Sequence, residues 1–138
     1  MGSLLESRPS VAATKPRDLC ERTFLFASDI VAFCLVFARQ PGAQRQIAHQ
    51  LLRAGTSVGA NAEEARSAYS RREFAFKSAI VLREARESRF WLRIIAANKL
   101  AAAEAIEPLL AEANELVGIY TATVLRAKLP RQSQNSKL

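Results

Sequence analysis

Residues 70–97 read SRREFAFKSAIVLREARESRFWLRIIAA, and this stretch decides the fold. Ser70 followed three residues later by Glu73 has the form of a capping box, in which hydroxyl and carboxylate satisfy free N–H groups at a helix start. Neither proline nor glycine occurs between Glu73 and Ala97, so the pattern predicts one helix to about Ala97. Projected at about 100° per residue, its surface divides into three arcs. Phe74, Ser78, Val81, Ala85, Ser88, Leu92 and Ile95 form a core seam. Roughly opposite lie Phe76, Ile80, Trp91 and Ile94, interspersed with Glu73, Glu84 and Glu87. Between these two arcs fall Arg72, Arg83, Arg86, Arg89 and Arg93. A helix in an isolated bundle needs one apolar stripe. The second one, Phe76, Ile80, Glu84, Glu87, Trp91 and Ile94, reads as a subunit interface, and a homo-oligomer is expected.

Working outward, the preceding helix should run from about Ala43 to Ala68, with Ile47, Leu51, Val58, Ala62 and Ala65 on its apolar faces. Its middle, Gly55-Thr56-Ser57-Val58-Gly59-Ala60-Asn61, carries two glycines, each worth about 1 kcal/mol against a helix interior. They admit a break. The better reading is a continuous helix in which Gly55, Ser57, Gly59 and Asn61 let a neighbouring backbone approach closely. A first helix opens at the plausible N-cap Asp18 and stops at Pro41-Gly42. Its seam is Leu19, Thr23, Phe26, Ile30, Phe33 and Phe37, and a second ridge of Phe24, Val31 and Leu35 suggests the most buried helix of the set. A fourth opens near Glu107-Pro108 and ends near Ala127, with Asn98 to Ile106 as an alanine-rich linker. The fold class is therefore all-α: an antiparallel up-down four-helix bundle over residues 18–127. Residues 1–17 and 128–138 read as flexible tails, the second basic.

The net charge is +7, unevenly spread. Residues 18–38 carry −2, residues 39–99 carry +7, and residues 100–125 carry −4. A basic middle suits a polyanion or an acidic partner; alternatively, basic and acidic helices complement one another within the bundle. Arg72, Arg83, Arg86, Arg89 and Arg93, with Arg53 and Arg66, are the candidate nucleic-acid contacts, because guanidinium groups grip phosphates bidentately. Pairing to Glu63 and Glu64 could instead consume several of them. With few aromatics, contact to backbone and shape is expected rather than base stacking.

Other classes find no support. His49 is the only histidine, and the two cysteines, Cys20 and Cys34, lie fourteen residues apart on one helix. That separation is roughly 21 Å, too far for a disulfide. Zinc and cofactor sites are not expected, and Glu63/Glu64 or Glu84/Glu87 lack the Glu-x-x-His partners of a di-iron bundle. No nucleophile elbow or dinucleotide fingerprint occurs, so a non-enzymatic role is expected. The longest apolar run, Ile30 to Ala38, cannot span a bilayer, and Glu6 breaks the myristoylation pattern after Met1-Gly2. A cytoplasmic protein with reduced thiols is the expectation.

Several motifs agree in order: DLCERTF at 18–24, QLLRAGTSVGANAEEA at 50–65, SRREF at 70–74, EARE at 84–87 and FWLR at 90–93. Together they resemble the bacterial four-helix proteins named for the intervening sequences of 23S ribosomal RNA genes, in which some members are encoded. The resemblance covers roughly residues 18–127. It implies an up-down subunit of a pentameric ring and a second helix continuing through its glycines. It also implies distant kinship with the accessory variability proteins of diversity-generating retroelements, which bind reverse transcriptase and nucleic acid. Structured RNA or DNA is thus the first expected partner, and a reverse transcriptase or another acidic protein the alternative. The resemblance by itself supplies no activity.

Overall fold

Four helices carry the chain: α1 (Leu19–Phe37), α2 (Ala43–Arg66), α3 (Arg71–Ala97) and α4 (Ala103–Ala127). The computed structural model describes residues 18–130, so the tail expected at 1–17 and most of that expected at 128–138 lie outside the described residues. Among the described residues there is no strand. Each helix packs on the next in sequence, whereas α1 meets α4 only sparingly and does not meet α3.

The ends follow local chemistry. Asp18 caps α1 by accepting from the Cys20 N–H at 2.9 Å. Gly42 supplies the positive φ of the turn into α2. Ser70 Oγ accepts from the Glu73 N–H at 3.0 Å, while Glu73 reaches back to the Tyr69 N–H at 2.9 Å, one residue earlier than a standard capping box. At the far end of α3, Leu100 N–H donates to Ile95 O and Lys99 N–H to Ala96 O, a Schellman closure with Lys99 in the left-handed position at φ 52°.

α2 is unbroken through its glycines. A Cβ on Gly55 would meet Ile30 Cγ2 at 2.7 Å, and one on Gly59 would meet the Thr23 carbonyl at 3.2 Å. Both glycines therefore face α1 at close approach. Ser57 and Asn61 are joined within their own helix, Asn61 Nδ2 donating to Ser57 O. Along this seam Cys20 Sγ lies on Ala62 O and Cys34 Sγ on Ala48 O, so partners in α2 fall in number as those in α1 rise. Both cysteines are free, and burial pushes the Cys34 thiol up to about 11.

The core is built from Phe26, Ile30, Leu51, Val58, Val81, Leu92, Ile95, Ile106 and Leu116. Two expectations are corrected. α4 begins at Ala103, not Glu107: Ala103 to Ile106 joins the helix, and Pro108 falls inside it. The ridge of α1 is also not buried, for Phe24 is 54% and Leu35 70% exposed. Its seam packs as expected at Thr23, Phe26, Ile30 and Phe37, but α2 covers only one flank and α4 barely touches the other. A single polar tie joins those two helices among the described ion pairs: Arg22 Nη2 reaches Glu112 at 2.6 Å and Glu115 at 2.7 Å. Toward the opposite end from that tie, an apolar groove of about 760 Å³ opens between Phe33, Val36, Phe37, Leu100 and Leu109.

Candidate nucleic-acid interface

The outward face of α3 is set by its neighbours. With α2 on one flank and α4 on the other, the residues left facing solvent along one stripe are Arg72, Phe76, Arg83, Arg86, Phe90, Arg93 and Ala97, with half-buried Ala79 among them and exposed Ala96 beside its end. Their alternating four- and three-residue spacing keeps them in one stripe, roughly 37 Å long at 1.5 Å per residue. This stripe contains no carboxylate.

Its arginines are almost unpaired. Among the described residues no ion pair reaches Arg72, Arg86, Arg89 or Arg93, and Arg83 has only a long contact of 3.6 Å to Glu84. Arg89 is half-buried at the stripe's edge. The other two candidates belong elsewhere. Arg66 Nη1 pairs with Asp18 at 3.3 Å. Arg53 forks between Glu84, at 3.4 Å, and Glu87, a closer contact. Hydrogen bonding to Arg53 holds the Glu87 carboxyl below its ordinary range, with a weaker contribution from Trp91. Five of the seven expected arginines thus share α3, while Arg53 and Arg66 serve contacts between α2 and its neighbours. Glu63 and Glu64 take none of the α3 arginines in an ion pair among the described residues.

The residues expected at a subunit interface divide. Glu84 is buried and Glu87 half-buried, both turned to α2 through Arg53. Trp91 is half-buried beside them, its Nε1 shielded without a hydrogen bond of normal geometry. Ile80 and Ile94 are half-buried, and Phe76 stands in the arginine stripe at 63% exposure. The arginine arc, not the Phe/Ile/Trp arc, lies farthest from the core. Sequence reasoning missed Phe90, which is 50% exposed between Arg86 and Arg93 and packs edge-on to Trp91 at 4.9 Å. The spacing 72, 76, 83, 86, 90, 93 was the available signal.

No group of three or more His, Cys, Asp or Glu among the described residues converges to hold a metal ion. No helix among them is long and apolar enough to cross a membrane. What the geometry defines is an all-α protein of four packed helices that presents an acid-free cationic stripe on one helix. The sequence profile of the 23S rRNA-intervening sequence proteins matches residues 17–122, and the chain belongs to that family. Its fold is similar to the crystal structure of a protein of unknown function from the S23 ribosomal protein family of Bacteroides thetaiotaomicron. That likeness has a TM-score of 0.70 at 28% identity, covering 78% of this chain and 98% of the other. No curated protein matches the chain.

Proposed function

We propose that this protein is a non-enzymatic, cytoplasmic, self-associating module that contacts structured RNA or other nucleic acid through the outer face of α3. One observation carries the reading: Arg72, Arg83, Arg86 and Arg93 are exposed on one stripe that holds no carboxylate, and among the described residues the one ion-pair contact they make is the long one of Arg83 to Glu84 at 3.6 Å. Exposed, almost unpaired guanidinium groups along one helix suit successive phosphates, and binding of that kind weakens steeply with added salt. The test is a binding titration with structured RNA at several ionic strengths. Wild type binds with a steep salt dependence, and Arg83→Glu/Arg86→Glu abolishes binding while helicity and assembly stay intact. Absence of binding to any nucleic acid near physiological salt refutes the reading.

Self-association has its own support in α1, whose outer face exposes Phe24, Val31, Leu35 and Val36. Exposed apolar surface of this kind marks interaction sites. We take the subunits to be up-down bundles, as the short connections and the opposed numbering along the α1–α2 seam favour, and to assemble as a pentamer. The same face of α1 favours a second reading, a scaffold or accessory subunit that docks another protein such as a reverse transcriptase. Loss of a protein partner on Leu35→Glu, with no nucleic-acid binding by wild type, selects that reading.

A further inference from the structure

Resting on the reading of α3 as a nucleic-acid surface, we propose that this face selects unpaired bases, with Phe76 and Phe90 as stacking platforms set between the arginines. Both rings stand in the arginine stripe, 63% and 50% exposed. A surface that gripped only phosphates would gain nothing from two phenyl rings held in water. The order along the stripe is Arg72, Phe76, Arg83, Arg86, Phe90, Arg93, so a cation flanks each ring on both sides. The rings lie fourteen positions apart, roughly 21 Å along the helix. That span suits two bases separated by several nucleotides, with Arg83 and Arg86 under the backbone between them.

Phe90 is also partly preorganised. Its contact with Trp91, at 4.9 Å and 74° between planes, fixes the ring while half the residue still meets solvent. Less side-chain freedom is then lost when a base stacks on it. In a duplex the bases are already stacked inside, and only phosphates, sugars and groove edges meet the protein. An unpaired nucleotide offers a whole π-face, whatever its identity. Looped or single-stranded RNA is therefore the ligand class, with weak sequence preference.

The full chain is titrated at fixed ionic strength with three probes of about sixteen nucleotides: a single-stranded oligoribonucleotide, a blunt duplex, and a strand of equal phosphate count lacking bases. The single strand binds tightest. Phe76→Ala and Phe90→Ala each weaken it by about 5-fold or more, while duplex affinity and the salt dependence stay within about two-fold of wild type. Phe90→Tyr restores the affinity lost in Phe90→Ala. Since both rings are exposed, helicity by circular dichroism should be unchanged in all three. If the alanine variants bind the single strand as wild type does while Arg83→Glu/Arg86→Glu binds none of the probes, stacking is refuted and the cationic surface stands. If wild type binds none of the three, both fall, and a protein partner for this face takes their place.

Discussion

Gly55→Ala isolates the close approach of α1 and α2, because two effects of opposite sign meet at one methyl group. In an exposed helix interior, replacing Gly by Ala stabilises by about 1 kcal/mol. Gly118 of α4 is that reference: a Cβ there meets nothing within 4 Å, so Gly118→Ala should gain the whole amount. At Gly55 the new Cβ would lie 2.7 Å from Ile30 Cγ2 and 2.9 Å from Ile30 Cγ1. Ile30 is fully buried and cannot swing into open space. Overpacking of this kind costs about 1–3 kcal/mol, so Gly55→Ala should be net destabilising by about 1 kcal/mol. Gly59 is intermediate, with the Thr23 carbonyl at 3.2 Å and the Ala27 Cβ at 3.3 Å, and its substitution should be close to neutral. Urea unfolding followed by circular dichroism orders the three. Ile30→Ala supplies the decisive control: it removes the two nearest crowding atoms, leaves only the Ile30 Cβ position at 3.0 Å, and costs about 2–5 kcal/mol alone. In that background Gly55→Ala should become stabilising, a coupling of about 2 kcal/mol. A Gly55→Ala protein as stable as Gly118→Ala, or no coupling to Ile30, would refute the packing argument.

Arg53→Ala leaves buried Glu84 with only the long 3.6 Å contact from Arg83 and should destabilise by about 1–2 kcal/mol, less than for a fully buried pair because Arg53 is half exposed. Since Glu87 titrates below its unfolded value, its pairing adds stability that is complete at neutral pH and is lost as pH falls through the folded value; acid unfolding of Arg53→Ala should show a shallower loss over that range. Lys99→Gly relieves a left-handed non-glycine residue and should raise stability by about 0.5–1 kcal/mol in the same urea assay, whereas Lys99→Ala should not. Leu35→Glu, at a position 70% exposed, should leave the unfolding midpoint within about 0.5 kcal/mol of wild type yet reduce the sedimenting mass to a monomer; an unchanged oligomer excludes this face as the contact.

The helices were legible because their signals are local. Asp18, Pro41-Gly42 and Ser70-Arg71-Arg72-Glu73 mark ends by chemistry that acts within a turn. The small residues of α2 likewise point to close packing, since glycine in a helix interior asks for a reason. What the sequence hid depends on which neighbour covers which flank. Phe24, Val31 and Leu35 read as core by composition, yet none of the described helices covers them. Glu84 reads as part of a subunit interface, yet it is buried within the subunit, because its partner Arg53 is 31 positions away. The arcs of α3 were drawn slightly off in angle: Phe76 stands among the arginines, and the arginines lie farthest from the core. Angle alone cannot say that α2 takes the Glu84–Trp91 flank and leaves the arginines outermost. Pro108 misled for the opposite reason: its preference for a helix start is real, but the alanines before it extend the helix by another turn.

The helix contacts bear on how the two proposed activities coexist. α1 and α3 do not touch, since each packs on α2 and only α3 packs firmly on α4. The apolar face of α1 and the arginine stripe of α3 are therefore on non-adjacent helices of one subunit. Covering α1 with another copy would leave α3 open, and the charge pattern agrees: between Arg22 and Arg39 α1 carries no cation, whereas the α3 stripe carries no carboxylate. Assembly would then multiply the number of stripes presented to one long ligand without altering any of them. Bivalent or higher engagement raises affinity through effective concentration rather than through new contacts. On this account a Leu35→Glu monomer keeps the affinity of a single site for a short oligonucleotide and loses only the excess affinity for a long RNA. A stripe built partly by the neighbouring copy would lose both together, and that difference separates an assembly that creates the site from one that repeats it.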